Sequence, residues 1–104
     1  MIRFPSQPFF WELITPLRGE LQVMTADLGP TDAPLEMMEH GGQELVLVLE
    51  GEVEVRVAGQ AYTLAEGDAI TFSAQLPHGF GNRGPGKATM LNATAPPSIG
   101  ERWH

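Results

Sequence analysis

The sequence predicts an all-β domain in which antiparallel strands form a sandwich or a barrel. Glycine and proline are frequent, with 12 and 9 of them among 104 residues, which indicates short elements joined by tight turns. Turn signals recur about every 8–12 residues, as in sandwiches and barrels. Residues 52–57 (EVEVRV) alternate charged and apolar side chains, which is the period of a half-buried strand.

The first half of the chain predicts an arm followed by short strands. Residues 1–10 carry two prolines and three phenylalanines, and they are predicted to form an N-terminal arm outside the core. A barrel domain is predicted over 11–97 and a tail over 98–104. In the first half of the barrel, prolines and glycines separate predicted strands or extended segments at 11–15, 21–28 and 35–38.

The second half carries the strongest strand signals. Residues 45–49 are apolar throughout, and the next residues, Glu50 and Gly51, predict a bend before the alternating strand at 52–57. Gly67 suits the positive φ of a turn. Further strands are predicted at 61–64, 69–72 and 87–94.

Composition excludes several classes of function. The 6 basic and 13 acidic residues give a formal charge of −7, which argues against direct contact with nucleic acid. The chain has no cysteine, so disulfides, thiolate zinc sites, iron–sulfur clusters and cysteine nucleophiles are excluded. It also lacks an apolar run of about 18 residues and a secretory signal pattern. A cytoplasmic location is therefore predicted.

His40, Glu44 and His78 are the candidate metal ligands. Two imidazoles and one carboxylate can bind Fe(II), Mn(II), Ni(II) or Zn(II) and leave coordination positions open for water or substrate. Spacing alone also fits two ordinary loop histidines and a solvated glutamate. The third histidine, His104, ends the chain and is given no role.

Two motifs in the chain resemble those of the small single-domain cupins. Residues 40–44 (HGGQE), followed after six residues by Gly51, resemble the first motif, H-x-H-x(3,4)-E-x(6)-G. The second motif has the form G-x(5)-P-x-G…H-x(3)-N. It is matched by Gly59, by 65–67 with alanine at the usual proline position, and by 77–82 with a histidine and an asparagine.

The resemblance implies an antiparallel cupin β-barrel, also called a double-stranded β-helix or jelly roll, with a pocket between two sheets. It carries the metal ligands onto His40, Glu44 and His78. The first histidine of the family pattern falls on Met38, whose thioether is a weak ligand for hard divalent ions. The side chains predicted to line the pocket are Met38, Val46, Val48, Phe72, Phe80, Asn82 and Met90. Plain core packing is the alternative for the two valines, the two phenylalanines and Met90. For Asn82 the alternatives are a turn residue that bonds to its own backbone and an outer support for His78.

The sequence leaves two classes of function open. Residues 11–16 (WELITP), the first motif, and the Leu-Pro-His and Ala-Pro-Pro segments resemble the C-terminal cupin half of helix-turn-helix transcription regulators. That resemblance implies a domain that senses a small molecule while a separate helical domain reads DNA. The alternative is a small metal-dependent enzyme, such as a dioxygenase, isomerase or decarboxylase. Binding is favoured, because the only tyrosine, Tyr62, and the only lysine, Lys87, have no evident inward position as acid or base.

The predicted partners are a small-molecule ligand and a second copy of the chain. Leu45, Leu47 and Leu49 lie on the face of their strand opposite Glu44, where they either contact a second subunit or fill a second layer of the same chain. The aromatic segment 4–11 is the other candidate for a homodimer contact.

Overall fold

The computed structural model describes residues 2–6, 9–14 and 20–96. The predicted tail, 98–104, lies outside this part of the chain. The described residues form nine strands: β1 (Ile2–Ser6), β2 (Phe9–Leu13), β3 (Gln22–Leu28), β4 (Gln43–Glu50), β5 (Glu52–Val57), β6 (Gln60–Ala65), β7 (Ala69–Ser73), β8 (His78–Gly81) and β9 (Ala88–Ala95). They contain no helix, and therefore none that could cross a membrane. The all-β prediction is confirmed.

The strands form two sheets. The larger sheet has six strands in the order β1-β2-β3-β9-β4-β7, and the smaller has three in the order β6-β5-β8. Every pair of named strands is antiparallel. The predicted antiparallel architecture is thus observed.

The hydrophobic core lies between the two sheets. Burial alternates strictly along β3 and β9, as expected for strands with one face against the core. Val46 and Val48 of β4 pack in one cluster with Val53 and Val55 of β5. The alternation predicted for 52–57 is confirmed, because the valines of β5 are buried and its charged residues face outward or lie at the margin.

The other face of β4 points away from the core. Leu45 and Leu47 are half-buried, and Leu49 is 43% exposed. These leucines therefore do not fill the space between the two sheets.

Residues 1–10, predicted as an arm, include a strand and the start of another. The backbone of β1 pairs with β2, and β2 pairs with β3, so this hairpin extends the larger sheet at its edge. An edge strand tolerates Pro5, which has no N–H to donate. The domain boundaries at 11 and 97 remain predictions.

Candidate metal centre

Three side chains from separate segments converge between the sheets. The Nε2 atom of His40 lies 2.9 Å from Oε1 of Glu44, and Nε2 of His78 lies 3.2 Å from the same oxygen. The two imidazole rings meet edge to face with their centroids 5.1 Å apart. The side chains of His40, Glu44 and His78 are only 3%, 2% and 0% exposed. The structure thus brings together the three candidate ligands that the sequence predicts.

A tight turn before β4 positions two of these ligands. Gly42 has a φ of +93°, and a Cβ at this position would overlap the carbonyl of Ala95 and the ring of Pro96. Only glycine fits this turn without a shift of its neighbours. Just upstream, the backbone N–H of His40 donates to the carbonyl of Ala74 at 2.9 Å. These contacts fix the chain on both sides of the turn and direct His40 and Glu44 toward the same point.

The backbone also determines which imidazole nitrogens carry protons. Nδ1 of His40 lies 3.1 Å from the carbonyl oxygen of Gly41, and Nδ1 of His78 lies 2.8 Å from that of Leu76. A carbonyl oxygen only accepts hydrogen bonds, so we assign the proton of each neutral ring to Nδ1. Each Nε2 then presents a lone pair toward Glu44, which is the arrangement that metal-binding histidines adopt.

One carboxylate oxygen of Glu44 accepts a hydrogen bond and the other does not. Asn92 donates from Nδ2 to Oε2 at 2.8 Å. No hydrogen bond of acceptable geometry reaches Oε1 from any residue in the described part of the chain, despite the two nearby Nε2 atoms. A buried carboxylate oxygen that receives no hydrogen bond is costly unless a cation binds there. The residues therefore fit a divalent metal ion.

The donor set indicates which ions suit the centre. Two imidazole nitrogens and one carboxylate oxygen, with no thiolate, are ligands for Fe, Mn, Ni and Zn alike. Three protein ligands leave positions open for water or a small molecule. A bound ion would supply Lewis acidity and a point of attachment for an oxygen donor.

Met38 lies directly opposite one of the ligands. Its N–H donates to the carbonyl of His78 at 2.8 Å, and the N–H of His78 donates back at 3.0 Å. Side chains paired in this way lie about 5 Å apart at Cβ. The structure therefore places this methionine beside the site, at the position where the family motif has a histidine.

The other side chains predicted to line a pocket lie at different depths. The rings of Phe72 and Phe80 have their centroids 5.1 Å and 6.0 Å from that of His78. Val46, Val48 and Met90 belong to the buried core cluster. The register places Val48 opposite Met90, four residues along β4 from Glu44 and therefore on the same inner face but deeper in the core. A pocket-lining role for these five residues remains a prediction. The short ring distances from Phe72 and Phe80 to His78 support it for the two phenylalanines.

Asn82 bonds to the backbone of two neighbouring segments. Its Nδ2 donates to the carbonyls of Leu28 at 3.0 Å and Gly86 at 2.6 Å, and its Oδ1 accepts from the N–H of Gly84 at 2.9 Å. The side chain thereby ties the turn between β8 and β9 to the end of β3. These contacts match the turn-stabilising alternative, and a lining role remains a prediction.

Sequence reasoning missed two polar residues of β9. Asn92 and Thr94 are 3% and 2% exposed and lie on the inner face of the sheet. The alternation Met90-x-Asn92-x-Thr94 was a usable signal, because polar residues on the buried face of a strand need partners there. Only the register shows that the partner of Asn92 is Glu44.

Replacing Asn92 by alanine is expected to lower affinity for Zn²⁺ roughly 10–100-fold, since outer contacts of this kind orient metal ligands. Competition with a chromophoric chelator measures the change. Gln60→Ala, which removes an amide side chain from the exposed strand β6, is the control and should match the wild type. An unchanged affinity in Asn92→Ala would show that Glu44 needs no such support.

Known proteins provide three comparisons. The HTH-type transcriptional regulator PuuR of Escherichia coli (strain K12) is 34% identical over 61 residues, which are 59% of this chain and 33% of that protein. The Cupin_2 domain of an XRE family transcriptional regulator from Enterobacter cloacae has a TM-score of 0.77 at 20% identity, covering 86% of this chain and 97% of that one. Hydroxypropylphosphonic acid epoxidase from S. wedmorenis, in complex with fosfomycin, has a TM-score of 0.79 at 18% identity, covering 89% and 54%.

These comparisons confirm the predicted fold and family. Both structural matches lie below 25% identity and therefore show the fold alone. The match to PuuR relates the chain to transcriptional regulators, although it spans about a third of that protein's length. The Cupin_2 family model, described as a cupin domain, matches residues 22–94. The chain therefore belongs to the Cupin_2 family.

Proposed function

We propose that this cupin domain binds a small molecule at a divalent metal ion and serves as the ligand-sensing module of, or a relative of, a transcriptional regulator. The observation that carries the proposal is the convergence of two Nε2 atoms on Oε1 of Glu44 in a buried position. A cation there would satisfy all three acceptors at once. Its open positions would receive the small molecule.

The relation to regulators supports sensing rather than catalysis. Metal-dependent isomerases and decarboxylases usually need an acid or base beside the substrate. Tyr62 is 42% exposed on β6, and Lys87 is exposed before β9. Neither points into the interior. Among the described residues, the carboxylate at the site is Glu44 itself, which is a candidate metal ligand and accepts a hydrogen bond from Asn92.

A sensing role requires a separate DNA-reading segment. The net charge of −7 makes this domain unsuited to a phosphate backbone. In a regulator, a helix-turn-helix segment of roughly 60–80 residues would carry out that contact. Such a protein would act in the cytoplasm.

The experiment that tests the proposal separates binding from turnover. The metal-loaded protein is screened by thermal shift against small metabolites, and every stabilising compound is then incubated with it and analysed by mass spectrometry. A sensor returns each bound compound unchanged. Conversion of any binder would instead support the alternative, a small metal-dependent enzyme.

We further propose that the chain forms a homodimer through the outer face of the larger sheet. The register puts Val23, Ala93 and Leu45 in one row, and Leu91 and Leu47 in the next. All five are half-buried on the side away from the core. A continuous apolar surface on an otherwise acidic domain favours a protein contact. The aromatic segment 4–11 is a second candidate, but its side chains lie outside the described residues.

Replacing Leu47 by aspartate is expected to separate the dimer, because a charge would be buried at the centre of the contact. Light scattering at micromolar concentration should give twice the 11.3 kDa chain mass for the wild type and one chain mass for the variant. Tyr62→Asp, on the smaller sheet, is the matched control and should stay dimeric. A monomeric wild type would contradict the dimer proposal.

A further inference from the structure

A row of buried polar side chains crosses the larger sheet beside the metal ligands. The register pairs Gln22 with Thr94, and Thr94 with Glu44. All three are on the inner face and are at most 3% exposed. Directly paired residues on one face have Cβ atoms about 5 Å apart. Thr94 is therefore the immediate neighbour of Glu44 on β9.

The hydroxyl of Thr94 has no hydrogen-bond partner among the residues that the structure describes. The side chain is 2% exposed, so it is also shielded from bulk solvent. A buried hydroxyl without a partner lowers stability, and valine would fill the same space without that cost. No hydrogen bond within the described residues accounts for this hydroxyl, so it is available to a molecule bound beside Glu44.

The charges at the site indicate the kind of ligand. The described buried polar side chains are Gln22, Glu44, His78, Asn82, Asn92 and Thr94. Glu44 is the one carboxylate in this set, and none of the six is a lysine or an arginine. With neutral imidazoles, a divalent ion on His40, Glu44 and His78 leaves one uncompensated positive charge. A ligand with a single negative charge removes that imbalance in a low-dielectric interior.

We propose that Thr94 is a ligand-binding residue that donates a hydrogen bond to a carboxylate oxygen of a small monocarboxylate, whose other oxygen reaches the metal. A hydroxyl donor to a charged oxygen makes a strong, short hydrogen bond. This inference rests on the proposed metal-dependent binding function. It adds the chemical class of the ligand and a residue that recognises it.

The first test compares three probes of similar size and different charge. Acetate, acetamide and ethylamine are titrated into Co²⁺-loaded protein, and binding is followed by the absorption bands of the metal and by calorimetry. Acetate should bind most tightly, followed by acetamide. Preferential binding of ethylamine, or equal binding of all three, would overturn the assigned ligand class.

The second test changes the hydroxyl. Thr94→Val should weaken acetate binding about tenfold or more, while Thr94→Ser, which keeps the hydroxyl, should stay within about threefold of the wild type. Thr25→Val, on the outward face of β3, is the control and should leave acetate affinity unchanged. Co²⁺ content should be the same in all four proteins.

A third readout needs neither metal nor ligand. Metal-free Thr94→Val should melt about 4 °C or more above the wild type, because the buried hydroxyl is gone. A lower melting temperature would show that the hydroxyl has a structural partner, and loss of Co²⁺ from Thr94→Val would show that it positions Glu44. Either result overturns the inference.

The Co²⁺ measurement separates failure of the proposed function from failure of this inference. If the wild type binds no Co²⁺, the proposed function fails first. If it binds Co²⁺ but Thr94→Val binds acetate normally, only the inference fails.

Discussion

Replacing His78 by alanine is expected to lower the affinity for a divalent ion by more than about 100-fold, which exceeds the effect of losing an outer contact. The Nε2 atom of His78 lies 3.2 Å from the Glu44 oxygen at the centre of the site, and its side chain is fully buried. No other described His, Cys, Asp or Glu belongs to this cluster and could replace it. His40→Ala should have an effect of the same order, since the two rings contribute equivalent ligands.

Chelator competition with Zn²⁺ or Ni²⁺ measures these affinities, and circular dichroism shows whether each variant keeps its strands. His104→Ala removes the remaining histidine of the sequence and is the control for adventitious binding. A cupin centre predicts that only His40→Ala and His78→Ala lose affinity. Equal affinities in all three variants would place the metal elsewhere.

Replacing Asn82 by alanine is expected to destabilise the fold by about 3 kcal/mol, a large fraction of the stability of a domain of this size. The side chain is 1% exposed and makes hydrogen bonds to Leu28, Gly84 and Gly86. Its loss removes three hydrogen bonds, the one to Leu28 fully buried, and with them the side-chain link between the β8–β9 turn and the end of β3. Thermal melting should show a decrease of about 10 °C or more.

Asn82→Asp sharpens this prediction. An aspartate keeps an oxygen that can accept from the N–H of Gly84, but it replaces the donating amide with an acceptor that faces the carbonyls of Leu28 and Gly86. It should therefore be at least as destabilising as alanine at neutral pH. An aspartate variant as stable as the wild type would mean that the two donated hydrogen bonds contribute little.

Local patterns predicted much of the fold. The alternation in 52–57 identified β5 and the face that it buries. The glycines and prolines located most of the turns, and Gly51 lies between β4 and β5 with a φ of +77°. These features depend on neighbouring residues, so one sequence is sufficient to reveal them.

Features that depend on long-range pairing were harder to predict. The pairing of β1 with β2 was not foreseen, because the prolines of the first ten residues indicated an arm. The apolar run in β4 left open whether Leu45 and Leu47 contact a second subunit or fill a second layer of the same chain, and the structure shows that they face away from the core. That distinction depends on which sheet covers which face.

In the candidate site, too, local motifs were predictable and contacts that depend on strand pairing were not. The motif spacing identified His40, Glu44 and His78, and the structure brings them together. The motif spacing did not identify Asn92 or Thr94, which follow Glu44 by 48 and 50 residues in the sequence. Their proximity to Glu44 comes from the pairing of β4 with β9. A strand register of this kind is absent from a single sequence.

The central claim, a divalent ion held by His40, Glu44 and His78, is tested most directly by elemental analysis. The protein is purified without chelator and without a histidine tag, and its metal content is measured by mass spectrometry before and after incubation with Fe²⁺, Mn²⁺, Ni²⁺ and Zn²⁺. We predict on the order of one transition-metal ion per chain, lost in His78→Ala. A wild-type protein that holds no metal and takes up none of the four ions would contradict the claim.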